Sequence, residues 1–235
     1  SAEPTRRGNP GYGRLKALRV LVYARLRKLE NDTRIEEHLK KHTWHLHRLG
    51  LQHVPDRTTI GRWWRRYIDS LEAVFAKISK IVQSIAPTSL LVADSTPLVD
   101  LYDMEAKCGF TTRGRFRGFK LHVVVNQLGL PLKALVTSGN CYDSPFLPKL
   151  IEDLEAEYVL ADAGYDSKRN VELIRAMGAK PVIAKNPRKQ RRQGLPVHPK
   201  LLREKRYLVE QFNGHIKENV LKGCWVRPKG LVKKS

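Results

Sequence analysis

Two short apolar runs, each ending on an aspartate, constrain the fold of this chain more than any other feature. The chain reads LLVAD at residues 90–94 and YVLAD at residues 158–162. Short runs of aliphatic, β-branched and aromatic residues are typical of buried strands. Polar residues at the strand ends of an α/β sheet commonly form the functional site. The repeated pattern therefore predicts that Asp94 and Asp162 end neighbouring strands and lie close together.

The remainder of the C-terminal part alternates between predicted strands and predicted helices. Gly129-Leu130-Pro131 joins two of the strands and predicts a tight antiparallel hairpin. The strands are expected at 90–98, 119–129, 130–139, 158–160 and 180–185, and the helices at 144–156, 167–177 and 200–219. This order predicts an α/β fold, with a mixed sheet flanked by helices, that follows a linker at 83–89.

The N-terminal third has a helical pattern. Helices are expected near 13–29, 33–49 and 58–83. Gly50 is expected to end one helix, Pro55 to break the chain, and Asp56 or Thr58 to cap the next helix. That next helix carries basic residues beside its apolar face, namely Arg57, Arg62, Arg65 and Arg66. The arrangement predicts a helix-turn-helix that places its second helix in a DNA major groove; an ordinary helical hairpin with a solvated basic face is the alternative.

The charge of the chain indicates an anionic partner. Its 44 Lys and Arg residues against 23 Asp and Glu residues give a net charge of +21. Self-repulsion of this kind disfavours a compact chain unless an anion is normally bound, and nucleic acid is the first candidate. The basic residues are spread along the chain, which disfavours a membrane surface. Three scattered cysteines without a C-x-x-C pair fit a reducing cytoplasm.

Two neighbouring carboxylates also raise the question of a metal ion. Asp94 and Asp162 would repel each other unless they were protonated or bridged by a cation, and Mg²⁺ is the usual bridge between oxygen ligands. The alternative is that each aspartate only caps the turn that follows it. Asp166, four residues after Asp162, is expected to cap the helix that begins near Ser167.

A third carboxylate lies on the predicted final helix. Glu210 has Arg206 four residues before it and Lys217 seven residues after it. At about 100° per residue the three side chains fall within about 40° of one stripe of the helix. A solvated surface ion pair, which is worth only about 0.3–0.5 kcal/mol, is the alternative interpretation.

Three segments in this order resemble the DDE motifs of prokaryotic insertion-sequence transposases with a ribonuclease-H-like catalytic core, in particular the insertion-sequence four and five groups. The segments are LLVADSTPL, YVLADAGYDS and RYLVEQFNGHIK. LGLQHVPDRTTIGRWW is similar to the N-terminal DNA-binding region of that family, and GFKLHVVVN and LPLKALVTSGNCYDSPFL are similar to its central hairpin and following segment. The final-helix signature of the family contains Tyr, Arg, Glu and Lys; Arg206, Glu210 and Lys217 match the last three, and Arg203 stands at the Tyr position.

The resemblance implies a function as well as a fold. It implies a DNA transposase in which Asp94, Asp162 and Glu210 hold two Mg²⁺ ions per active site, with Mn²⁺ as a possible substitute, and in which Arg206 and Lys217 bind phosphate. The reactions would be hydrolysis at the element ends and strand transfer into target DNA by two-metal phosphoryl transfer. The implied setting is a homodimer or higher oligomer on double-stranded DNA in a prokaryotic, nucleoid-associated cytoplasm, with no membrane. The expected domains are a helical DNA-binding domain at 1–84 and a ribonuclease-H-like catalytic domain at 85–235.

Two further basic segments flank the proposed site. Their side chains are expected to contact the phosphate backbone of DNA, although a charge run is more often a solvated face. They are Arg113, Arg115, Arg117 and Lys120 in the first segment, and Lys185, Arg188, Lys189, Arg191 and Arg192 in the second. A group of histidines at 38, 42, 45 and 47 is expected to form a polar helix face, because no acid or thiol at ligand spacing completes a zinc site. His122, which alternates with valines, is expected to be packed or hydrogen-bonded.

Two other functions compete with the transposase. The first is a catalytically inactive or truncated transposase-derived DNA-binding protein; the presence of all three acids argues against it. The second is a phosphatase with Asp94 of the DST segment as its nucleophile. That enzyme would need a second acid two residues later, where Thr96 stands, and it would leave the excess of basic residues unexplained.

Overall fold

The computed structural model describes residues 11–86, 88–101, 103–111, 114–185 and 199–220. These residues form two compact units, a helical unit that contains the residues up to Ala73 and residues 217–220, and an α/β unit that runs from Val74 to Ile216. The domain boundary between residues 84 and 85 remains a prediction. No helix in the described ranges has the length and apolar character that crossing a membrane would require.

Helices make up the described part of the helical unit. The helices are α1 Arg14–Leu26, α2 Asp32–Lys41, α3 Trp44–Leu49, α4 Arg57–Arg66 and α5 Ile68–Ile85, the last of which continues into the α/β unit. Val20 and Leu21 of α1, Leu39 of α2 and Ile60 and Trp63 of α4 pack into one buried core. The helices predicted at 33–49 and 58–83 are each divided in two, at residues 42–43 and at Tyr67.

The turn between α3 and α4 follows the expected chemistry. Gly50 ends α3 in the left-handed conformation, with a φ of 75° that costs glycine little. Asp56 is the N-cap of α4, and its side chain accepts hydrogen bonds from the backbone amides of Thr58 and Thr59. The predictions for Gly50 and Asp56 are confirmed.

The α/β unit is built on a mixed six-stranded sheet. Its strands are β1 Leu90–Val99, β2 Lys107–Thr111, β3 Gly114–Asn126, β4 Pro131–Ser138, β5 Tyr158–Ala161 and β6 Lys180–Ile183. They are arranged in the order β2-β3-β1-β5-β6, and β4 also pairs with β3. β3 is antiparallel to β1, β2 and β4, whereas β5 is parallel to β1 and β6. The prediction of a mixed α/β sheet is confirmed.

Two hairpins extend the sheet from β3. The predicted hairpin between β3 and β4 is present, and Asn126 Oδ1 braces its turn by accepting from the amides of Leu128 and Leu130 at 3.0 Å each. The hairpin of β2 with the start of β3 was not predicted, because its strands lie in a segment that the sequence analysis treated as a basic run. Lys107 pairs with Gly118 in that hairpin.

Helices cover both faces of the sheet. They are α6 Leu147–Ile151, α7 Lys168–Ala176, α8 Pro199–Lys205 and α9 Tyr207–His215, and a π-helical turn at Ile216–Val220 follows α9. Leu91 and Ala93 of β1 pack with α6 and α7, whereas Leu90 and Val92 pack with Leu208 and Val209 of α9. The alternation of side chains along β1 thus separates an α6/α7 face of the sheet from an α9 face.

Candidate active site

The strand register places the two predicted acids beside each other. Ala93 of β1 pairs with Ala161 of β5 in parallel, so Asp94 and Asp162 occupy the next position on neighbouring strands. Asp94 shares the sheet face of Val92, and Asp162 shares the face of Leu160; both hydrophobic residues belong to the α9 face. The sheet therefore directs both carboxylates towards α9.

Arg206, which immediately precedes α9, binds one of these acids and the third predicted acid. Its Nη1 and Nη2 donate to the two carboxylate oxygens of Asp162 at 3.3 and 3.4 Å, in a bidentate pair. Its Nε lies 3.1 Å from Oε1 of Glu210. The i,i+4 ion pair between Arg206 and Glu210, which the alternative interpretation predicts, is present, and the guanidinium also links α9 to the end of β5.

The prediction that Asp94 ends its strand is wrong, because pairing with β3 continues β1 past Asp94 to Val99. Of the two aspartates, Asp94 is the more deeply buried. Burial raises the pKa of its carboxyl from 3.8 to about 6, and the charges of Asp162 and Glu210 act in the same direction. The Ser95 backbone amide and the positive charge of Arg206 oppose this rise. Asn213, on α9, donates from Nδ2 to Oδ2 of Asp94 at 3.2 Å. The cluster thus joins three carboxylates, one guanidinium and one carboxamide.

The two aspartates after β5, Asp162 and Asp166, have different structural roles. Asp162 caps the short helical turn at Ala163–Tyr165 by accepting from the amide of Ala163 at 2.6 Å. The prediction that Asp166 caps the following helix is wrong. Ser167 is the N-cap of α7, and its hydroxyl accepts from the amide of Asn170 at 3.1 Å. A Ser side chain one residue nearer the helix reaches the orphan amide of the first turn, while Asp166 is buried.

A buried polar network lies on the α6/α7 face behind Asp94. His122 Nδ1 lies 3.1 Å from the Tyr165 hydroxyl, and His122 Nε2 lies 2.9 Å from Thr137 Oγ1. Burial lowers the pKa of His122 to about 4 and raises the pKa of Tyr165 well above its usual range. The Tyr165 hydroxyl also bonds the side chain of Ser95, the residue after Asp94. The prediction for His122 is confirmed, and Tyr165 is a buried support of β1 that the sequence analysis missed.

The predicted phosphate-binding residues fall into different surroundings. Arg57, Arg62, Arg65 and Arg66 are all exposed on α4. Arg117 donates to three backbone carbonyls, those of Leu101, Asp103 and Ala106, so its guanidinium closes the loop before β2. The DNA contact predicted for Arg117 stays a prediction.

Other members of the predicted set also have contacts of their own. Arg115 contacts Cys108 Sγ at 3.3 Å. Lys120 forms an ion pair of 2.9 Å with Asp143. Lys185 is exposed after β6, and Lys217 is exposed in the π-helical turn. Outside the described residues are Arg113, Arg188, Lys189, Arg191 and Arg192, as well as the side chain of Arg203.

The histidines of the helical unit form a ring-packed group. His38, His42 and His45 have ring centroids 4.6 to 6.2 Å apart, and the hydroxyl of Tyr23 lies 2.8 Å from His38 Nε2. Desolvation lowers the pKa of His38. Within the described ranges of both units, no three His, Cys, Asp or Glu side chains stand close enough together to hold one metal ion. At the α/β site, Arg206 lies between Asp162 and Glu210.

Comparison with known families gives matches along most of the chain. The family model described as Transposase DDE domain matches residues 85–233, and the one described as Transposase domain (DUF772) matches residues 1–66. A curated protein assigned as the transposase for insertion sequence element IS402 of Burkholderia cepacia is 36% identical over 80 residues. That match covers 29% of this chain and 38% of the relative, so the chain spans about two fifths of the relative's length.

Several solved transposase structures are also similar. The piggyBac transposase synaptic complex with hairpin DNA gives a TM-score of 0.41 at 12% identity, over 75% of this chain and 42% of that chain. The Mos1 mariner paired end complex with Mn gives a TM-score of 0.32 at 10% identity, over 90% of this chain and 68% of that chain.

Proposed function

Because the chain belongs to the family of transposases with a DDE domain, we propose that it is a DNA transposase. It would hydrolyse DNA at the ends of an insertion element and transfer the freed strand into target DNA. The observation that carries this proposal is the parallel register of β1 and β5, which sets Asp94 beside Asp162 and points both at Arg206 and Glu210. Three acids from distant parts of the chain lie around Arg206 on the α9 face of the sheet, and carboxylates are the groups that metal-dependent phosphoryl transfer uses.

The residues of the site fit divalent cations, which DDE transposases use. Asp94, Asp162 and Glu210 offer the oxygen donors that Mg²⁺ and Mn²⁺ prefer. The guanidinium of Arg206 already satisfies part of the negative charge of Asp162 and Glu210. Beside Asp94, the buried carboxamide oxygen of Asn213 has no hydrogen-bond partner within the described ranges, so the site holds an acceptor that is unused. We propose that the three acids hold two Mg²⁺ ions, with Mn²⁺ as a substitute.

The protein groups have separate roles in the proposed reaction. When bound, such ions generate a nucleophile at neutral pH and stabilise the leaving oxygen in an in-line displacement. Asp94 keeps its carboxylate largely ionised at neutral pH, because its raised pKa of about 6 is still below 7. Arg206 would exchange part of its contact with Asp162 for a non-bridging phosphate oxygen, and Lys217 would supply a second positive charge to the DNA backbone.

We further propose that the helical unit binds double-stranded DNA, namely the terminal inverted repeats of the element. On α4 the apolar side chains of Ile60 and Trp63 are buried while the arginines are exposed. A helix held by its apolar face can present its basic face to a major groove or to phosphates. Arg57, Arg62, Arg65 and Arg66 would make these contacts, with Arg115, Lys120 and Lys185 adding backbone contacts near the catalytic centre. Assembly as a homodimer or higher oligomer on DNA is part of the same proposal.

The proposal is tested by nicking of end DNA. The substrate is a labelled duplex that carries the inverted repeat bracketing the gene, and the reaction is followed with Mg²⁺, with Mn²⁺ and with a chelator. We expect Asp94→Asn, Asp162→Asn and Glu210→Gln each to lower the nicking rate by about 10³-fold or more, because the loss of several kcal/mol of charge stabilisation costs a factor of ten per 1.36 kcal/mol.

A matched acid-to-amide control separates loss of the site from loss of charge. Glu172→Gln, on the exposed surface of α7, should nick at the wild-type rate. If one of the three site variants retains full metal-dependent nicking, the assignment of that residue is wrong. If the wild-type protein binds end DNA but never nicks it, the chain is instead a DNA-binding protein derived from a transposase.

A further inference from the structure

Asn213 is an unusual residue for its place in the fold. It lies inside α9 on the side that packs against the sheet, next to the buried residues Leu208 and Val209, and only 6% of its surface is exposed. Asparagine is a poor residue for a helix interior, since its amide competes for backbone hydrogen bonds. A buried amide also costs free energy unless its polar atoms find partners. Its presence on the buried face of α9 therefore calls for a specific contact.

Of the two polar atoms in the Asn213 carboxamide, one has a hydrogen-bond partner within the described ranges and the other has none. Nδ2 donates to Oδ2 of Asp94 at 3.2 Å, and Oδ1 has no hydrogen-bond partner within the described ranges. The orientation follows from chemistry, because an ionised carboxylate only accepts hydrogen bonds and so must face the NH₂ group. The unused oxygen is therefore not a partner of Asp94, and it remains a free acceptor next to the buried acid.

We infer that Asn213 is a positioning residue of the active site, an inference that rests on the proposed transposase function. Its Nδ2, together with the Ser95 backbone amide, would hold the Asp94 carboxylate in one orientation for binding a divalent cation. Its Oδ1, which has no hydrogen-bond partner within the described ranges, would add a neutral oxygen to the site. The sequence places it suitably, because residues 210 and 213 are three apart and lie on adjacent parts of the same helix surface.

The neutrality of Asn213 is the physical reason for this role. Asp162 is held by the positively charged Arg206, which competes with any cation for the same oxygens. Asp94 is held by an uncharged donor, which orients the carboxylate without repelling a cation. Asp94 and Asn213 together therefore form the part of the site in which a divalent ion meets the least competition.

The test measures binding of Mn²⁺ to the whole protein without DNA. Electron paramagnetic resonance of free Mn²⁺ gives the dissociation constant at pH 7.5. Asn213→Leu has nearly the same size and removes both polar atoms, so the packing of α9 is kept. Since loss of a residue that orients a metal ligand costs about 10- to 100-fold in affinity, we expect a loss of that size. Gln211→Ala, on the exposed side of α9, should bind Mn²⁺ as the wild type does.

The reference variant Asp94→Asn separates this inference from the proposed function. If Asp94→Asn weakens Mn²⁺ binding and Asn213→Leu does not, Asn213 has only a packing role and the inference is overturned. If Asp94→Asn itself leaves Mn²⁺ binding unchanged, the proposed metal site fails first. In the Asp94→Asn background, Asn213→Leu should cause no further loss, because its partner is already gone.

A purely structural role would show a different pattern. It would lower the unfolding midpoint and leave the affinity of the folded protein for Mn²⁺ unchanged. We expect instead a weaker affinity of the folded protein for Mn²⁺, whereas the unfolding midpoint should fall in either case, because Leu leaves the buried carboxylate of Asp94 without its Nδ2 donor. Should Asn213→Leu not fold, Asn213→Ala takes its place, since it leaves a cavity and introduces no clash. Binding of end DNA in the presence of a chelator should be unchanged in either variant.

Discussion

The charged residues of the candidate site in the α/β unit contact neighbouring side chains, whereas the arginines on α4 of the helical unit are exposed. Arg206 bonds Asp162 and contacts Glu210, and Asn213 bonds Asp94, so each group has a defined partner and distance. The four arginines of α4 are spread over about half of the helix circumference and are exposed. Substitutions in the candidate site should therefore remove particular contacts. Each substitution of an arginine on α4 should remove one positive charge and no defined contact.

The candidate site should respond to changes in pH, whereas the arginines of α4 should respond to changes in salt concentration. Burial shifts the pKa values of Asp94 and His122, so the stability of the α/β unit should depend on pH in a residue-specific way. Exposed cations interact with a polyanion through counterion release, so their effects should depend on salt and add up. Three predictions, from the largest expected effect to the smallest, test this contrast.

The largest effect is expected in the pH dependence of stability at Asp94. The folded state keeps the proton of this carboxyl up to about pH 6, whereas the unfolded chain releases it near pH 3.8. Between these values the folded state binds more protons, so this group makes the free energy of unfolding fall as the pH rises. Asp94→Asn removes this pH-dependent contribution to the free energy of unfolding. As the pH rises from 4 to 7, the free energy of unfolding of the variant should increase by about 2 to 3 kcal/mol relative to that of the wild type. Urea unfolding at each pH measures this difference.

The pKa shift of His122 changes stability with pH in the opposite direction to that of Asp94. Its folded pKa of about 4 lies below the ordinary 6.5, so the unfolded chain binds more protons between these values and stability rises with pH. In the wild type the two opposed slopes partly cancel. In the Asp94→Asn variant only the contribution of His122 remains of these two, so the free energy of unfolding should increase from pH 4 to pH 6.5. Equal pH profiles for the wild type and Asp94→Asn would contradict the burial of the Asp94 charge.

Asp56 provides the second test, because it is a charged residue of the helical unit that does have defined partners. Its carboxylate accepts from two backbone amides and from the hydroxyls of Thr58 and Thr59. Loss of an N-cap costs about 0.5–2 kcal/mol, so Asp56→Ala should lower the free energy of unfolding by that amount. Tryptophan fluorescence can report the transition, since Trp63 and Trp64 lie on α4.

The matched control is Asp56→Asn, which keeps a capping oxygen and removes the charge. It should retain most of the stability, because Asn and Asp are equally good N-caps. A loss in Asp56→Asn as large as that in Asp56→Ala would show that the charge, rather than the hydrogen-bond geometry, stabilises the start of α4.

Much of the candidate site follows from local rules applied to the sequence. The alternation of side chains in LLVAD and YVLAD is enough to put Asp94 and Asp162 on one face of neighbouring strands, and spacing alone pairs Arg206 with Glu210. Register and helix phase are properties of a single segment or of two paired segments. They can be deduced without knowledge of how distant elements pack.

The residues that the sequence analysis missed depend on distant packing. Asn213 meets Asp94 across 119 positions of the chain, and Tyr165 meets His122 across 43. Nothing local distinguishes such an Asn from a solvated helix residue; the one available signal is its place beside Leu208 and Val209 on the buried side of α9. Similarly, the segment around Arg117 is rich in charge, yet β pairing with Lys107 to Thr111 makes it part of the sheet.

The smallest effects are expected from single arginines of α4. If Arg62 and Arg65 each neutralise one phosphate, Arg62→Ala and Arg65→Ala should each lower the affinity for duplex DNA by roughly 8-fold at 0.1 M salt. Each variant should also reduce the slope of log affinity against log salt concentration by about 0.9, and the double variant by about twice that. Fluorescence anisotropy with a labelled duplex, at four or five salt concentrations, measures both quantities.

A charge-matched control decides whether α4 itself is the contact surface. Arg34→Ala, on the exposed side of α2, removes the same charge from the helical unit without touching α4. An arginine remote from the DNA acts only through the screened long-range field, since the Debye length is about 10 Å at 0.1 M salt. Arg34→Ala should thus change the affinity less than about 2-fold and leave the salt slope unchanged. Equal losses in Arg34→Ala and Arg62→Ala would mean that net charge, and not the α4 face, determines binding.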